Sequence, residues 1–260
     1  MAYDRTLIQI RERTFLDILD LSLVVIRRWP RILGLAALAG ILPFALFNHW
    51  LFSADSELSG FWWIPLLILE FPWATAPLTL VLGGLLFGER PRPARIFRRY
   101  LSALPTMLLL QLIVRGALLA TGIFYLLLPS RFAFLNEVIL LERAGWFRPI
   151  RRCSRLCRER EGDLLGSTLA LLLFSLVFVL CFSLGVESLG SILIVGDLTW
   201  SEDQSPGFLK PLVQVSIWLS ITFAGIVRFL TYVDQRIRLE GWAVELALRE
   251  AGRSLEKSLS

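Results

Sequence analysis

Long uncharged apolar runs alternate along this chain with short segments crowded with arginine. The run from Ile32 to Phe52, ILGLAALAGILPFALFNHWLF, holds no Asp, Glu, Lys or Arg. About 20 such residues, each rising about 1.5 Å in a helix, cross roughly 30 Å of hydrocarbon. A second run extends from Phe61 to about Gly88 and includes Pro65, Pro72 and Pro77. Prolines there predict kinks, which a helix bundle tolerates when neighbouring groups satisfy the freed carbonyls. Further runs cover residues 105–128, broken only by Arg115, then 164–195 and 211–233. Between them RFAFLNEVILLE, residues 131–142, is short for a crossing and carries Asn136 and Glu137. It reads either as a stubby crossing or as a re-entrant piece.

The arginine-bearing segments have a different period. LIQIRER alternates apolar and polar residues and predicts an extended arm. Thr14 and Asp17 then stand at the spacing of a capping box. Phe15, Ile18, Leu19, Ser22, Ile26 and Trp29 fall on one helical face, with Arg13, Asp17, Asp20, Arg27 and Arg28 on the other, and Pro30 closes the helix. In GERPRPARIFRRYLSALP, Ile96, Phe97, Tyr100 and Leu104 form a stripe from which Arg92, Arg95, Arg98 and Arg99 are excluded. The third segment, Glu142 to Asp163, contains seven arginines and aligns Trp146, Ile150, Cys153 and Cys157 opposite them. Such helices are too polar to cross a bilayer and too apolar on one side to stay in water, so they predict a position in the membrane–water interface. Each of them, starting near residues 14, 91 and 146, is followed by two apolar segments. That arrangement would repeat in parallel about an axis along the membrane normal.

Composition sharpens this picture. Hydrophobic residues make up 55% and charged residues 19%, too few to cover a soluble domain. The expectation is an all-α polytopic bundle forming one membrane domain over residues 1–260. Residues 1–31 are its arm and first interfacial helix, 32–233 hold six spans, and 234–260 form a tail. Of the 27 cationic residues, 24 lie at the N-terminus, in 89–104, in 143–161 and from 228 onward. This asymmetry predicts both termini on the cytoplasmic side of a bacterial inner membrane. It also favours a crossing at 131–142, since without one the seven-arginine segment would land outside. The arginines sit in short blocks beside apolar runs, so anionic lipid headgroups, rather than nucleic acid, are the expected partner. A second membrane subunit is the other partner considered. No cleavable signal peptide is expected, because six arginines precede the first long apolar run. Cys153, Cys157 and Cys181 predict no disulfide; the first two read as small packing residues.

Charges inside apolar runs are the first place to look for chemistry. Glu70 and Arg115, each roughly 15 Å from a membrane face by helical rise, fall at one level. They predict a buried pair that holds two helices in register or serves as a gate, relay or clamp. Glu137, Glu187 and Arg228 stand nearer the ends of their segments, within expected reach of headgroups or water. At the cytoplasmic face, Asp234 or Glu240 is expected to pair with arginines among Arg148, Arg151, Arg152 and Arg155. With Glu142, Arg236 and Arg238 they would make a clasp. Nothing in the chain has the spacing of a catalytic motif, and no cofactor or metal site is expected.

The stretch EVILLERAGWFRPIRRCSRLCR resembles the VxLE-(x)-G-(x)-AxRRSxxLxR stretch of uncharacterised bacterial six-helix membrane proteins. These are related to the membrane domain attached to some glycerophosphodiester phosphodiesterases. FLTYVDQRIRLEGWAVELAL is similar to the YxDxRxRxEGxDxEL tail of the same proteins. The resemblance implies Glu142, Arg151, Arg152, Asp234, Arg236, Arg238, Glu240 and Gly241 as signature positions. Cys153 stands where a serine is usual, and Ala243 where an aspartate is usual. The phosphodiesterase catalytic domain has no counterpart, so the resemblance implies a membrane domain without that activity. The function expected is a non-catalytic membrane scaffold or accessory subunit, with a small-solute or lipid transporter as the alternative.

Overall fold

Thr14 caps the first helix as the residue spacing predicts. Its hydroxyl accepts from the Asp17 N–H at 3.3 Å, and the Asp17 carboxylate accepts from the Thr14 N–H at 2.9 Å, closing a capping box. Helix α1 (Phe15–Arg28) follows and buries Ile18 and Ser22. Trp29 interrupts it for one residue, and α2 (Pro30–Ala54) starts on Pro30, whose fixed φ and missing N–H suit a first helical position. The other helices are α3 (Trp63–Leu86), α4 (Pro93–Ala120), α5 (Leu135–Glu142), α6 (Arg148–Arg158), α7 (Glu161–Val195) and α8 (Pro211–Leu259). The computed structural model describes residues 14–54, 63–86, 92–120, 132–142, 148–158, 160–195 and 211–259. Of residues 53, 54, 114, 115, 117–120, 194, 195, 211 and 240–259 it describes the backbone only. The predicted arm and the loop at 196–210 lie outside the described residues, as does most of the loop predicted at 53–60.

Every element among the described residues is a helix, and four helices are long and apolar enough to cross a membrane: Pro30–Phe52, Trp63–Leu86, Glu161–Leu193 and Leu212–Leu239. The pattern-based boundaries differ from the structure in two places. The interfacial helix expected before residue 105 and the span expected after it are one helix, α4, which runs through Pro105. A proline inside a helix removes one hydrogen bond without ending the helix when apolar residues continue on both sides. Likewise α8 continues far beyond residue 233. No glycine or proline intervenes before Gly241, and Asp234 bonds Arg238 one turn on, at 2.8 Å, which favours further helix. Of the three units read from the pattern, the second therefore has no separate polar helix.

Helix α3 is central: it packs on α2, α4, α5 and α8. Its buried residues include Glu70, Pro72, Ala74, Thr75 and the run from Leu78 to Gly83. The closest approach is between α2 and α3. A Cβ placed on Gly40 would collide with the Ala74 carbonyl oxygen and sit 3.2 Å from Pro77 Cδ. Helices in an apolar solvent associate through such close packing rather than through a hydrophobic driving force. On the opposite side, Gly225 of α8 leaves room for Thr75, whose Cγ2 would lie 2.9 Å from an added Cβ.

Gly40→Ala should separate α2 from α3 and lower stability by about 1–3 kcal/mol. Gly34→Ala, on the same helix with nothing within 4 Å of the added carbon, should be neutral. Thermal unfolding of both variants in detergent micelles checks this, and equal effects would exclude the close contact as the cause.

Candidate functional site

The two short helices bring the polar residues of the bundle together. Helix α5 contains eight residues, which at about 1.5 Å each give roughly 12 Å, under half of a hydrocarbon core. It is enclosed by protein, with Leu135 through Leu140 all buried, including Asn136 and Glu137. Asn136 Nδ2 donates to the Pro72 carbonyl at 3.2 Å, and the Leu141 side chain lies over Gly83. Helix α5 therefore runs beside α3 in the same direction, from the proline-rich middle of α3 toward its C-terminal end. Phe134 stacks obliquely on Tyr232 of α8, with ring centroids 5.8 Å apart.

Glu137 is 0% exposed, and Arg228 Nε donates to its Oε1 at 2.7 Å. The Arg228 guanidinium also lies over the Phe71 ring, 4.7 Å from its centroid, an arrangement that favours a desolvated cation. One ion pair thus ties α5 to α8 above a side chain of α3. The expectation that Glu137 reaches headgroups or water is overturned, while the Arg228 side chain keeps 15% exposure. Distance from a helix end measures depth only when the helix itself reaches the surface, and α5 lies within the bundle. The contact is single rather than forked: Glu137 Oε2, Arg228 Nη2 and Asn136 Oδ1 are buried without hydrogen-bond partners. Buried polar atoms ordinarily find a partner, so these three are unused capacity at one place.

Glu70, also buried, accepts from Asn48 Nδ2 at 2.7 Å. Its described partner is therefore an amide on α2. The Arg115 side chain, its predicted partner, is outside the described residues. Asn48 was missed in the sequence because it stands beside His49 and Trp50, which read together as the end of a span.

Among the predicted clasp residues, Glu142 is the centre. Its carboxylate accepts from Arg152 Nε at 3.1 Å and from the Tyr232 hydroxyl at 2.9 Å, and Arg236 also reaches that hydroxyl. Gln235 Nε2 donates to the Leu156 carbonyl at 3.1 Å, which joins α8 to α6. The structure thus brings Glu142, Arg152 and Arg236 together, while Asp234 bonds Arg238 of its own helix. Arg148, Arg151 and Arg155 are exposed, and the Glu240 side chain is outside the described residues. Tyr232 and Gln235 were missed because neither carries charge. Helix α6 buries Pro149, Cys153, Leu156 and Cys157 against this assembly.

No protein-family model, curated protein or solved structure matches the chain. Its function is therefore argued from these contacts.

Removing one member of the Glu137–Arg228 pair leaves a buried charge, at a cost of about 3–5 kcal/mol. Glu137→Ala and Arg228→Ala should each lower the folded fraction sharply. Glu137→Ala combined with Arg228→Ala should cost less than the sum of the single changes. A double-mutant cycle read by unfolding in detergent checks the coupling; strictly additive losses would refute it.

Proposed function

We propose that this chain is a non-catalytic scaffold or accessory subunit of the bacterial cytoplasmic membrane. It crosses the bilayer six times with both termini inside, and α1, the start of α4 and α6 meet anionic headgroups at the cytoplasmic interface. The cation distribution supports this orientation. The two crossings beyond the four long apolar helices are assigned to α4 after Pro105 and to the segment ending in α5, whose direction beside α3 fits the inner half of a crossing. The likeness to membrane domains of glycerophosphodiester phosphodiesterases agrees with this reading and carries no enzymatic activity with it.

The exposure of α7 carries the proposal. Its apolar stretch is 6% buried, against 61% for α3, and it packs mainly on α8. Leu172, Leu173, Leu176 and Leu180 on α7 are all more than half exposed. An apolar helix held mainly along one side offers a long surface to another membrane subunit. By contrast, the buried amide and acidic side chains Asn48, Glu70, Asn136, Glu137 and Gln235 each join one helix to another, which is a structural use.

A photo-crosslinking residue at Leu173, Leu176 or Leu180, introduced one at a time in native membranes, should yield a protein adduct of one discrete mass. The same residue at Leu35 or Leu38 of α2, also exposed, should yield lipid adducts. Lipid adducts alone from α7 would overturn the scaffold reading. The transporter reading draws on the unpartnered atoms of Asn136, Glu137 and Arg228. Solute flux in proteoliposomes that is lost on Glu137→Gln would favour it instead.

A further inference from the structure

Helix α6 differs from the other arginine-bearing helices in what it exposes. Its inner face is fully used: Pro149, Cys153, Leu156 and Cys157 are buried. Gln235 and Glu142 fasten it to the bundle through the Leu156 carbonyl and Arg152. Its outer face carries Arg148, Arg151, Arg155 and Arg158, all exposed. By helical geometry these four positions fall within an arc of about 80° and span about 15 Å of the axis. Among the described residues none of the four is in an ion pair, whereas Arg152 is paired with Glu142 and Arg160 with Asp163.

The outer side of α1 mixes charge with apolar surface, since Leu16, Leu23 and Val24 are each more than half exposed. The start of α4 does the same with Phe97 and Leu101. Faces of that kind enter the boundary between headgroups and acyl chains. On α6 every exposed residue is an arginine, so its outer face gains nothing by entering hydrocarbon. Yet α7, apolar enough to cross a membrane, begins at Glu161, directly after α6 ends at Arg158. In the orientation proposed above, the arginine row is therefore held at headgroup depth without being inserted. Each guanidinium presents a planar fork that fits phosphate oxygens. Four of them confined to about 15 Å exceed the single charge of an ordinary anionic headgroup and suit one that carries two phosphates.

We propose that the arginine row of α6 is a binding site for a lipid whose headgroup carries two phosphates. The arginines hold the phosphates, and the acyl chains stay in the surrounding bilayer. Because the buried face of α6 fixes the helix, the row is a rigid support for that headgroup. The site rests on the cytoplasmic membrane placement proposed above and is independent of any partner on α7.

The test uses the full chain in micelles of an uncharged detergent. It is titrated with cardiolipin, whose headgroup has two phosphates, or with phosphatidylglycerol, which has one, at equal total phosphate. Native mass spectrometry counts the lipid retained. Wild type should hold cardiolipin about tenfold more tightly than phosphatidylglycerol. Arg151→Gln combined with Arg155→Gln should weaken cardiolipin binding about 30-fold. Arg27→Gln combined with Arg31→Gln, also exposed but at the junction of α1 and α2, should leave it unchanged. Added NaCl should weaken binding, because charge alone holds the headgroup, whereas shorter acyl chains should not alter the preference. Thermal unfolding of both double variants should match wild type, and the wild-type preference between the two lipids needs no variant. Absence of that preference, an equal loss from the Arg27 and Arg31 pair, or displacement of the lipid by inorganic phosphate at the same concentration would overturn the site. A protein adduct from a photo-crosslinking residue at position 151 in native membranes would assign the row to an acidic protein segment and overturn it too. Protein adducts from α7 that persist beside such a failure would leave the scaffold reading standing.

Discussion

The ion pair between Glu137 and Arg228 constrains the rest of the bundle more than any other contact. A carboxylate with no exposed surface and a guanidinium over an aromatic ring cannot drift apart without leaving two charges in an apolar interior. Their 2.7 Å contact fixes α5 against α8, and Phe71 beneath Arg228 fixes both against α3. Once these three helices are placed, Asn136 meets Pro72, Phe134 meets Tyr232 and Glu142 meets the Tyr232 hydroxyl. Each is a consequence of seating an eight-residue helix in that one position.

Much of the fold was legible from the chain because an apolar solvent leaves few alternatives. Residues 32–52 and the proline-bearing second run emerge as α2 and α3 with nearly the expected limits, and the Thr14 cap forms as its spacing predicts. Hydropathy could not place what depends on three-dimensional neighbours. Pro105 reads as a boundary, yet the helix continues because apolar residues lie beyond it. Glu137 reads as near a surface because it is few residues from a segment end. Asn48, Tyr232 and Gln235 bear no charge, so a search for charges in apolar runs passes over them, although each makes a hydrogen bond between helices or segments. In the arginine-rich segments, sequence complementarity brought out Glu142 and Arg152 as members of one group; the tyrosine that also bonds Glu142 depends on the helical register of α8.

Two demands meet in the same few residues. Joining helices in hydrocarbon calls for polar atoms to be used against one another, and Glu70 and Asn48 do so through one bond that leaves Asn48 Oδ1 without a partner. At the contact of α5 with α8 the use is likewise incomplete: Asn136 Oδ1, Glu137 Oε2 and Arg228 Nη2 are buried without partners. Helix α5 is thus enclosed by protein and still holds unused bonding capacity. A membrane protein that only required rigidity would gain by filling that place with leucine or alanine.

Helix α8 contains 49 residues without a break, about 74 Å at the rise of an α-helix. Such a rod is a single mechanical part. Its first half is gripped at Gly225, Arg228, Tyr232 and Gln235, while its last twenty-odd residues extend past those contacts. A sideways force at the far end therefore acts with a lever arm on the gripped portion and becomes torque there. The Arg228 and Tyr232 side chains would convert that torque directly into motion of α5, so bending stiffness links the chain's end to its most deeply buried charge.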